Sequence, residues 1–324
     1  MLTSNTCTDI RGSAEHLSPI ALFVYARLDH TKRTIEALRK NFFAFDSDLI
    51  VFSDAAPNAE MEVTVEKVRA YISDIQGFRS VSVYLRSRNF GLAKSIIDGV
   101  TQVLLDYDRV IVMEDDLVTS PYFLKYMNES LERYADDERV ISVHGYVYPV
   151  KQPLPEAFFL PGADCWGWAT WRRGWACFNP DGQYLLNELK RRKMIRTFNL
   201  DGSYPYSEML QGQINGTNDS WAIRWRASAY LAGKLTLHPG RSLVQNIGND
   251  DSGTHCSSTS EYDTILSETP IKLDGILVKT SMVWLKVNKQ FHRQLRSPFM
   301  RLLDKYLPDK IKKLIKILKR IFVI

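Results

Sequence analysis

The chain has 324 residues, of which 45% are hydrophobic and 24% charged; this is enough to bury a large core and argues against general disorder. Its formal charge of +5 is concentrated at one end: Phe299 to Ile324 carries eight basic and two acidic residues, a net +6, so the other 298 residues sum to −1 and present no basic surface for nucleic acid. No run of eighteen apolar residues occurs, so no transmembrane helix is predicted. The four cysteines, Cys7, Cys165, Cys177 and Cys256, lack CxxC spacing, which speaks against a zinc knuckle or a disulfide framework and for a reducing, cytoplasmic setting.

Met1 to Ser18 is polar, has no signal-peptide core, and reads as a loose leader before the fold. Pro19 to Tyr25 is an apolar run, and Ala26-Arg27-Leu28-Asp29 leads from it into a helical pattern carrying Ile35 and Leu38. A second run, Leu49 to Phe52, ends in Ser53-Asp54 and precedes a helix with Val63, Val65, Val68 and Ile72. Ser80 to Leu85 is a third strand, after which Arg86 to Gly91 turns into a helix with Ile96, Ile97, Val100, Val103 and Leu104. The fourth strand, Val110 to Met113, runs straight into Glu114-Asp115-Asp116. Strands at roughly thirty-residue spacing with helices between them predict βαβ units and a mostly parallel, Rossmann-like sheet flanked by helices.

In such a sheet Arg27, Asp54, Asn89 and the carboxylate triplet all fall at strand carboxyl ends, the edge where open α/β sheets bind ligands. Clustered hard oxygen ligands suit Mg²⁺ or Mn²⁺ holding a diphosphate. Asp54 is able to accept from a uracil imide or a guanine amino group, and Arg27 to meet a base carbonyl or a phosphate. The chain has neither GxGxxG nor GxxxxGK[ST], so no glycine cradle is available for phosphates. For each residue taken singly, a surface ion pair or helix cap is the better explanation; their common edge is what favours binding.

With these motifs in their order and spacing, the stretch from about Pro19 to Cys256 resembles the nucleotide-sugar glycosyltransferases of the GT-A fold. It is similar to bacterial enzymes related to family 2 and to N-acetylglucosaminyltransferase I. The resemblance implies an α/β, GT-A-like domain over 19–290, with a nucleotide-binding half at 19–150 and an acceptor half at 151–290. It implies that Arg27 contacts the base, that Asp54 reads a uracil, and that Asn89 and Gly91 belong to the donor site. Within the triplet it assigns Asp116 to the metal and Glu114 and Asp115 to the sugar and ribose. The donor is then a nucleotide diphosphate sugar, UDP-linked and carrying a hexose or N-acetylhexosamine.

After a fifth strand, Val140 to Val143, four tryptophans occur between Trp166 and Trp175. Trp168, Trp171 and Trp175 have helical i, i+3 and i+4 spacing, so a packed helix face is one reading. The other is an acceptor platform of Trp166, Trp168 and Trp171, with one ring exposed and the others buried. Asn218 to Trp225 opens a helix. Asp219 is either its N-cap or, by the resemblance, the general base that deprotonates an acceptor hydroxyl in an inverting reaction. The match is offset by one residue, since Ser220 stands where relatives carry the base. Further on, His238 ends a strand, Arg241 is a phosphate contact or a surface charge, and His255 is either a solvated loop residue or, by the resemblance, a second metal ligand.

From Pro298 on, Leu307, Ile311, Leu314, Leu318 and Ile321 form one helical stripe with lysines on the other faces, so 298–324 reads as an amphipathic helix on an anionic membrane surface. The function expected is metal-dependent transfer of a sugar to a glycan or lipid-linked acceptor at the inner face of the membrane. The alternatives are a nucleotidyltransferase and a non-catalytic carbohydrate-binding protein.

Overall fold

Ile20–Val24 forms β1, buried at every position; its alternate side chains feed two different cores, Ile20, Leu22 and Val24 one, Ala21 and Phe23 the other. The period-2 alternation of a strand explains how one apolar run serves both faces. The structure, a computed structural model, describes residues 17–250, 252 and 259–295. Both the expected leader, apart from Leu17 and Ser18, and the tail at 298–324 lie outside the described residues.

Asp48–Ser53 (β2), Ser80–Leu85 (β3) and Arg109–Glu114 (β4) join β1 in parallel, in the order β3-β2-β1-β4. The sheet continues through Trp168–Trp171 (β8), Val140–His144 (β6), Leu235–Pro239 (β9) and Ala157–Pro161 (β7) to eight strands. β8 is antiparallel to both β4 and β6, and β7 is antiparallel to β9, while β6 and β9 are parallel. Six strands therefore share one direction, which is the mostly parallel, helix-flanked sheet that the sequence predicts.

On one face lie Leu28–Arg39 (α1), Ala59–Ile72 (α2) and Phe123–Arg133 (α4), which bury Ile35, Leu38, Val68, Ile72, Leu124 and Leu131. On the other lie Leu92–Asp106 (α3), Arg172–Trp175 (α5) and Trp221–Leu231 (α9), built around Ile96, Val100, Trp168, Trp175, Trp221 and Trp225. Gly182–Arg191 (α6), Ile195–Phe198 (α7) and Tyr206–Ile214 (α8) form a satellite cluster against α9. Leu117–Thr119 (β5) pairs antiparallel with Val244–Asn246 (β10), and Met282–Gln294 (α10) packs Trp284 against Phe158. Helix α10 runs across the domain end expected at 290. Among the described residues no helix is long and apolar enough to cross a membrane.

The tryptophan-rich segment departs from its helical spacing. Trp168 and Trp171 lie on β8, opposite Val112 and Arg109, and only Trp175 sits on the one-turn α5. Three residues apart on a strand, the two rings point to opposite faces and enter different cores.

Candidate functional site

The shared strand direction gathers the ends of β1, β2, β3, β4, β6 and β9 on one edge, and β8, running the other way, begins there. Glu114 is the last residue of β4 and Asp115 and Asp116 follow it in a tight turn before β5. Asp115 is buried, its Oδ2 accepting from the Tyr25 N–H at 3.4 Å and its carbonyl from Thr34 Oγ1 at 2.9 Å. Arg27 reaches across from the end of β1: one Nη2 stands 2.5 Å from Asp115 Oδ1 and 2.8 Å from Asp116 Oδ2.

Three carboxyl groups so close together resist full ionisation. Burial raises the Glu114 carboxyl above its usual range, and the charges of Asp116 and Asp115 raise it further. Asp115 is likewise raised by burial, with Arg27 opposing and Asp116 adding to the shift. Among the described residues one guanidinium faces these three carboxyl groups, which leaves room in charge for another cation.

A loop closes over it. After β10 the Ile247 N–H donates to the Asp116 carbonyl at 2.8 Å, and His30 Nε2 meets both the Ile247 carbonyl at 3.2 Å and Asp250 Oδ2 at 3.1 Å. Gly248 is required by space: a Cβ there would stand 2.2 Å from Asp116 Oδ2 and 3.0 Å from Arg27 Nη1. A carboxylate set with unbalanced charge, backed by bare main chain, fits a hard divalent ion. Asp116 is the less enclosed by hydrogen bonds of the two aspartates. His255, the second expected ligand, lies outside the described residues.

Asp54, Asn89 and Gly91 form a second group. Asp54 is 5% exposed, and its carboxylate accepts from the N–H groups of Ala55 (2.9 Å), Phe90 (2.8 and 3.1 Å) and Gly91 (2.9 Å). It thereby ties the loop before α3 to the end of β2, with Gly91 supplying the turn into the helix at φ +73°. Asn89 Nδ2 donates to the Ala55 carbonyl at 2.6 Å. The oxygens expected to read a uracil are already occupied by main-chain donors in this arrangement.

Asp219 is 68% exposed on its side chain and lies 3.4 Å from Arg224. It is not the N-cap of α9; Ser220 is, its side chain accepting from the Ile223 N–H at 3.2 Å. Arg241 is held by Glu156 in a two-point pair, at 2.8 and 3.0 Å, and so serves as a structural ion pair rather than a free phosphate ligand.

Of the three acceptor candidates, Trp168 (1% exposed) and Trp171 (5%) are core rings with no face to offer a sugar, so the platform as first drawn is corrected to one ring. Trp166 is half-buried and edge-on to Tyr146 (4.7 Å) and Tyr262 (5.7 Å). Half-buried Tyr148 and Tyr204 extend this aromatic lining through His292.

Sequence reasoning missed a polar cluster beneath these rings. His144, Asp164 and His238 bring one potential ligand atom each within 4.8 Å of one another. Their hydrogen bonds decide how to read them. The Trp166 N–H donates to His144 Nε2 at 3.2 Å, so the His144 proton sits on Nδ1, which faces His238 Nδ1 at 3.2 Å. The His238 proton is then on Nε2, 3.9 Å from Asp164 Oδ2. A metal-bound histidine normally donates its second nitrogen outward; here that nitrogen receives a main-chain N–H, which makes the cluster a neutral imidazole relay. Burial holds both rings neutral, His144 down to about 4 and His238 to about 3. Arg226, stacked 3.9 Å over the Tyr206 ring, donates to Asp164 Oδ1 at 3.2 Å. The available signal was the position of His144 and His238 at the ends of two apolar strands.

No family model matches the chain, and no curated protein does. Among solved structures it is similar to residues 1–349 of S. aureus TarS in complex with UDP-GlcNAc, at 13% identity over 74% of this chain and 61% of that one, with a TM-score of 0.38. Another S. aureus TarS structure matches at 16% identity over 45% of this chain and 24% of its own, TM-score 0.28. The Pyrobaculum calidifontis mannosyltransferase PcManGT, in complex with GDP-Man and Mn²⁺, matches at 12% identity over 45% and 39%, TM-score 0.28. The chain thus spans less than two thirds of each of these structures.

Proposed function

We propose that this chain is a glycosyltransferase that moves a sugar from a nucleotide diphosphate sugar to a hydroxyl of a glycan or lipid-linked saccharide, with inversion. The observation that carries the reading is the Glu114-Asp115-Asp116 turn at the carboxyl end of β4, paired with Arg27 alone among the described residues and backed by Gly248. Mn²⁺ or Mg²⁺ held by Asp116, when bound, offsets the charge of the departing diphosphate. Arg27 is placed to exchange its carboxylate partners for phosphate oxygens, and Glu114 and Asp115 to contact sugar and ribose. The half-buried rings around Trp166 offer apolar faces to an acceptor sugar. The resemblance gives the acceptor's proton to Asp219.

The cationic stripe of 298–324 would seat the protein on anionic lipid at about 1 kcal/mol per basic residue near the surface. Deleting residues from Pro308 onward should release the protein from anionic vesicles and leave its activity on a soluble acceptor intact.

The central test is a thermal-shift panel of UDP-GlcNAc, GDP-mannose and other nucleotide sugars, each with and without MnCl₂. At least one donor should raise Tm only when the ion is present, and Asp116→Asn should abolish that rise. A metal-dependent rise that survives in Asp116→Asn would refute the assignment.

A further inference from the structure

We infer that Asp164, rather than Asp219, is the carboxylate that takes the acceptor's proton, held for that task by Arg226 and open to the recess beside Trp166. The inference rests on the glycosyltransferase reading above.

Placement is the first argument. β4 and β8 are antiparallel, with Val112 opposite Trp168 as the last pair. Past that pair β4 runs on into the Asp115-Asp116 turn and β8 is preceded by the Asp164-to-Gly167 turn, so both turns open on the same edge of the sheet. The Cys165 thiol reports the same neighbourhood: burial raises it, and the charges of Glu114, Asp164 and Asp116 raise it further. Asp164 thus lies at the boundary between the acidic turn and the aromatic recess.

Construction is the second. The turn is bounded by Gly162 (φ +87°) and Gly167 (φ +62°), and it is tied down by the Trp166 N–H on His144 and by Arg226 on Asp164 Oδ1. Oδ1 is occupied, whereas Oδ2 has no hydrogen bond among the described residues; His238 Nε2 stands 3.9 Å from it. The side chain is 27% exposed, so substrate has access to it. Burial works against its charge, but Arg226, with His144, His238 and His292, outweighs burial and keeps the carboxyl below its ordinary range. It is therefore ionised at neutral pH and able to accept. Asp219 has none of this support: it is 68% exposed on its side chain and its carboxylate touches Arg224 at the limit of contact.

In the step this assigns, the acceptor hydroxyl oxygen forms a bond to the anomeric carbon of the donor. The bond from that carbon to the phosphate oxygen breaks, and its electron pair leaves with the nucleoside diphosphate. The hydroxyl proton passes to Asp164 Oδ2.

The test uses the full chain, the nucleotide sugar and ion selected by the thermal-shift panel, and a set of methyl glycosides as acceptors. Asp164→Asn should keep the donor-induced rise in Tm but release nucleoside diphosphate at least about a hundredfold more slowly, the range expected for a lost general base. Asp219→Asn should stay within a few-fold of the parent. Azide is a nucleophile without a proton and needs no base, so in Asp164→Ala it should restore nucleoside diphosphate release and yield a glycosyl azide. Turnover retained in Asp164→Asn, a loss confined to Asp219→Asn, or no azide rescue despite donor binding would each overturn the assignment. If the parent binds no nucleotide sugar at all, the glycosyltransferase reading itself falls.

Discussion

Arg27 Nη2 lies 2.8 Å from Asp116 Oδ2, so the oxygen proposed to hold a metal ion already carries a guanidinium. The two cations compete for one anion. Removing Arg27 should therefore free Asp116 while leaving buried Asp115 without its partner. The expected outcome for Arg27→Ala is a lower Tm without metal and a larger rise on adding MnCl₂ alone than the parent gives. A rise equal to or smaller than the parent's would mean that the ion and Arg27 do not share Asp116.

Asp54 presents a separable prediction. Its carboxylate fastens the start of α3 to the end of β2 through the N–H groups of Phe90 and Gly91. Asp54→Ala should cost about 2 kcal/mol in urea unfolding, within the range for buried donors left without a partner, and Asp54→Asn less. If Asp54 is chiefly a base contact, Asp54→Asn will instead weaken donor binding and leave stability unchanged.

The imidazole relay predicts a pH dependence. In the unfolded chain His144 and His238 titrate near 6.5, whereas folding depresses them to about 4 and 3. Below pH 6.5 the unfolded state binds more protons, so their contribution is intact above 6.5 and is lost as pH falls toward 4. Each ring steepens that loss by up to about 1.4 kcal/mol per pH unit. Glu114 and Asp115, whose carboxyls are raised, act in the opposite sense, so a difference measurement is needed. His238→Gln, which faces His144, Asp164 and Arg226, should flatten the slope of stability between pH 6.5 and 4 by about 1 kcal/mol per unit. An unchanged slope would show that the relay is protonated in the folded protein.

The tryptophans separate packing from recognition. Trp168 touches Trp175, Trp221 and Trp225 at ring distances of 5.4 to 5.8 Å, and Trp168→Ala should cost about 3 to 5 kcal/mol. Trp166→Ala, at the half-buried rim, should cost far less stability and lower turnover on glycan acceptors while donor binding stays unchanged. Equal stability losses in urea would place Trp166 in the core as well.

The parallel half of the fold was readable because strands buried on both faces must be apolar throughout, so Ile20–Val24 and Leu49–Phe52 stand out as runs, and the turns after them hold the polar residues. β8 was not readable, because tryptophans at 168, 171 and 175 satisfy helical spacing as well as they satisfy a short strand followed by one helical turn. The three-residue β5 and β10 are too short to show any period. Asp164 was missed for another reason: its partner Arg226 lies 62 residues away, and the His144 to His238 contact spans 94. No local pattern encodes such pairs. The triplet was visible because Glu114, Asp115 and Asp116 are consecutive.

Gly248 links that triplet to the loop above it, and its substitution makes the sharpest claim about the site. The main chain at 248 has no positive φ, so alanine meets no backbone penalty there; the obstacle is Asp116 Oδ2, 2.2 Å from the new Cβ, with Arg27 Nη1 at 3.0 Å. The loop is pinned nearby by Ile247 on the Asp116 carbonyl, so relief must come from the Asp116 carboxylate or from the loop lifting away. Overpacking of this kind costs about 1 to 3 kcal/mol. Gly248→Ala should thus lower Tm modestly and weaken the MnCl₂-dependent donor shift by at least about tenfold in donor concentration, because the displaced carboxylate is the one expected to hold the ion. Full metal-dependent donor binding in this variant would show that the loop opens freely and that Asp116 needs no support from it.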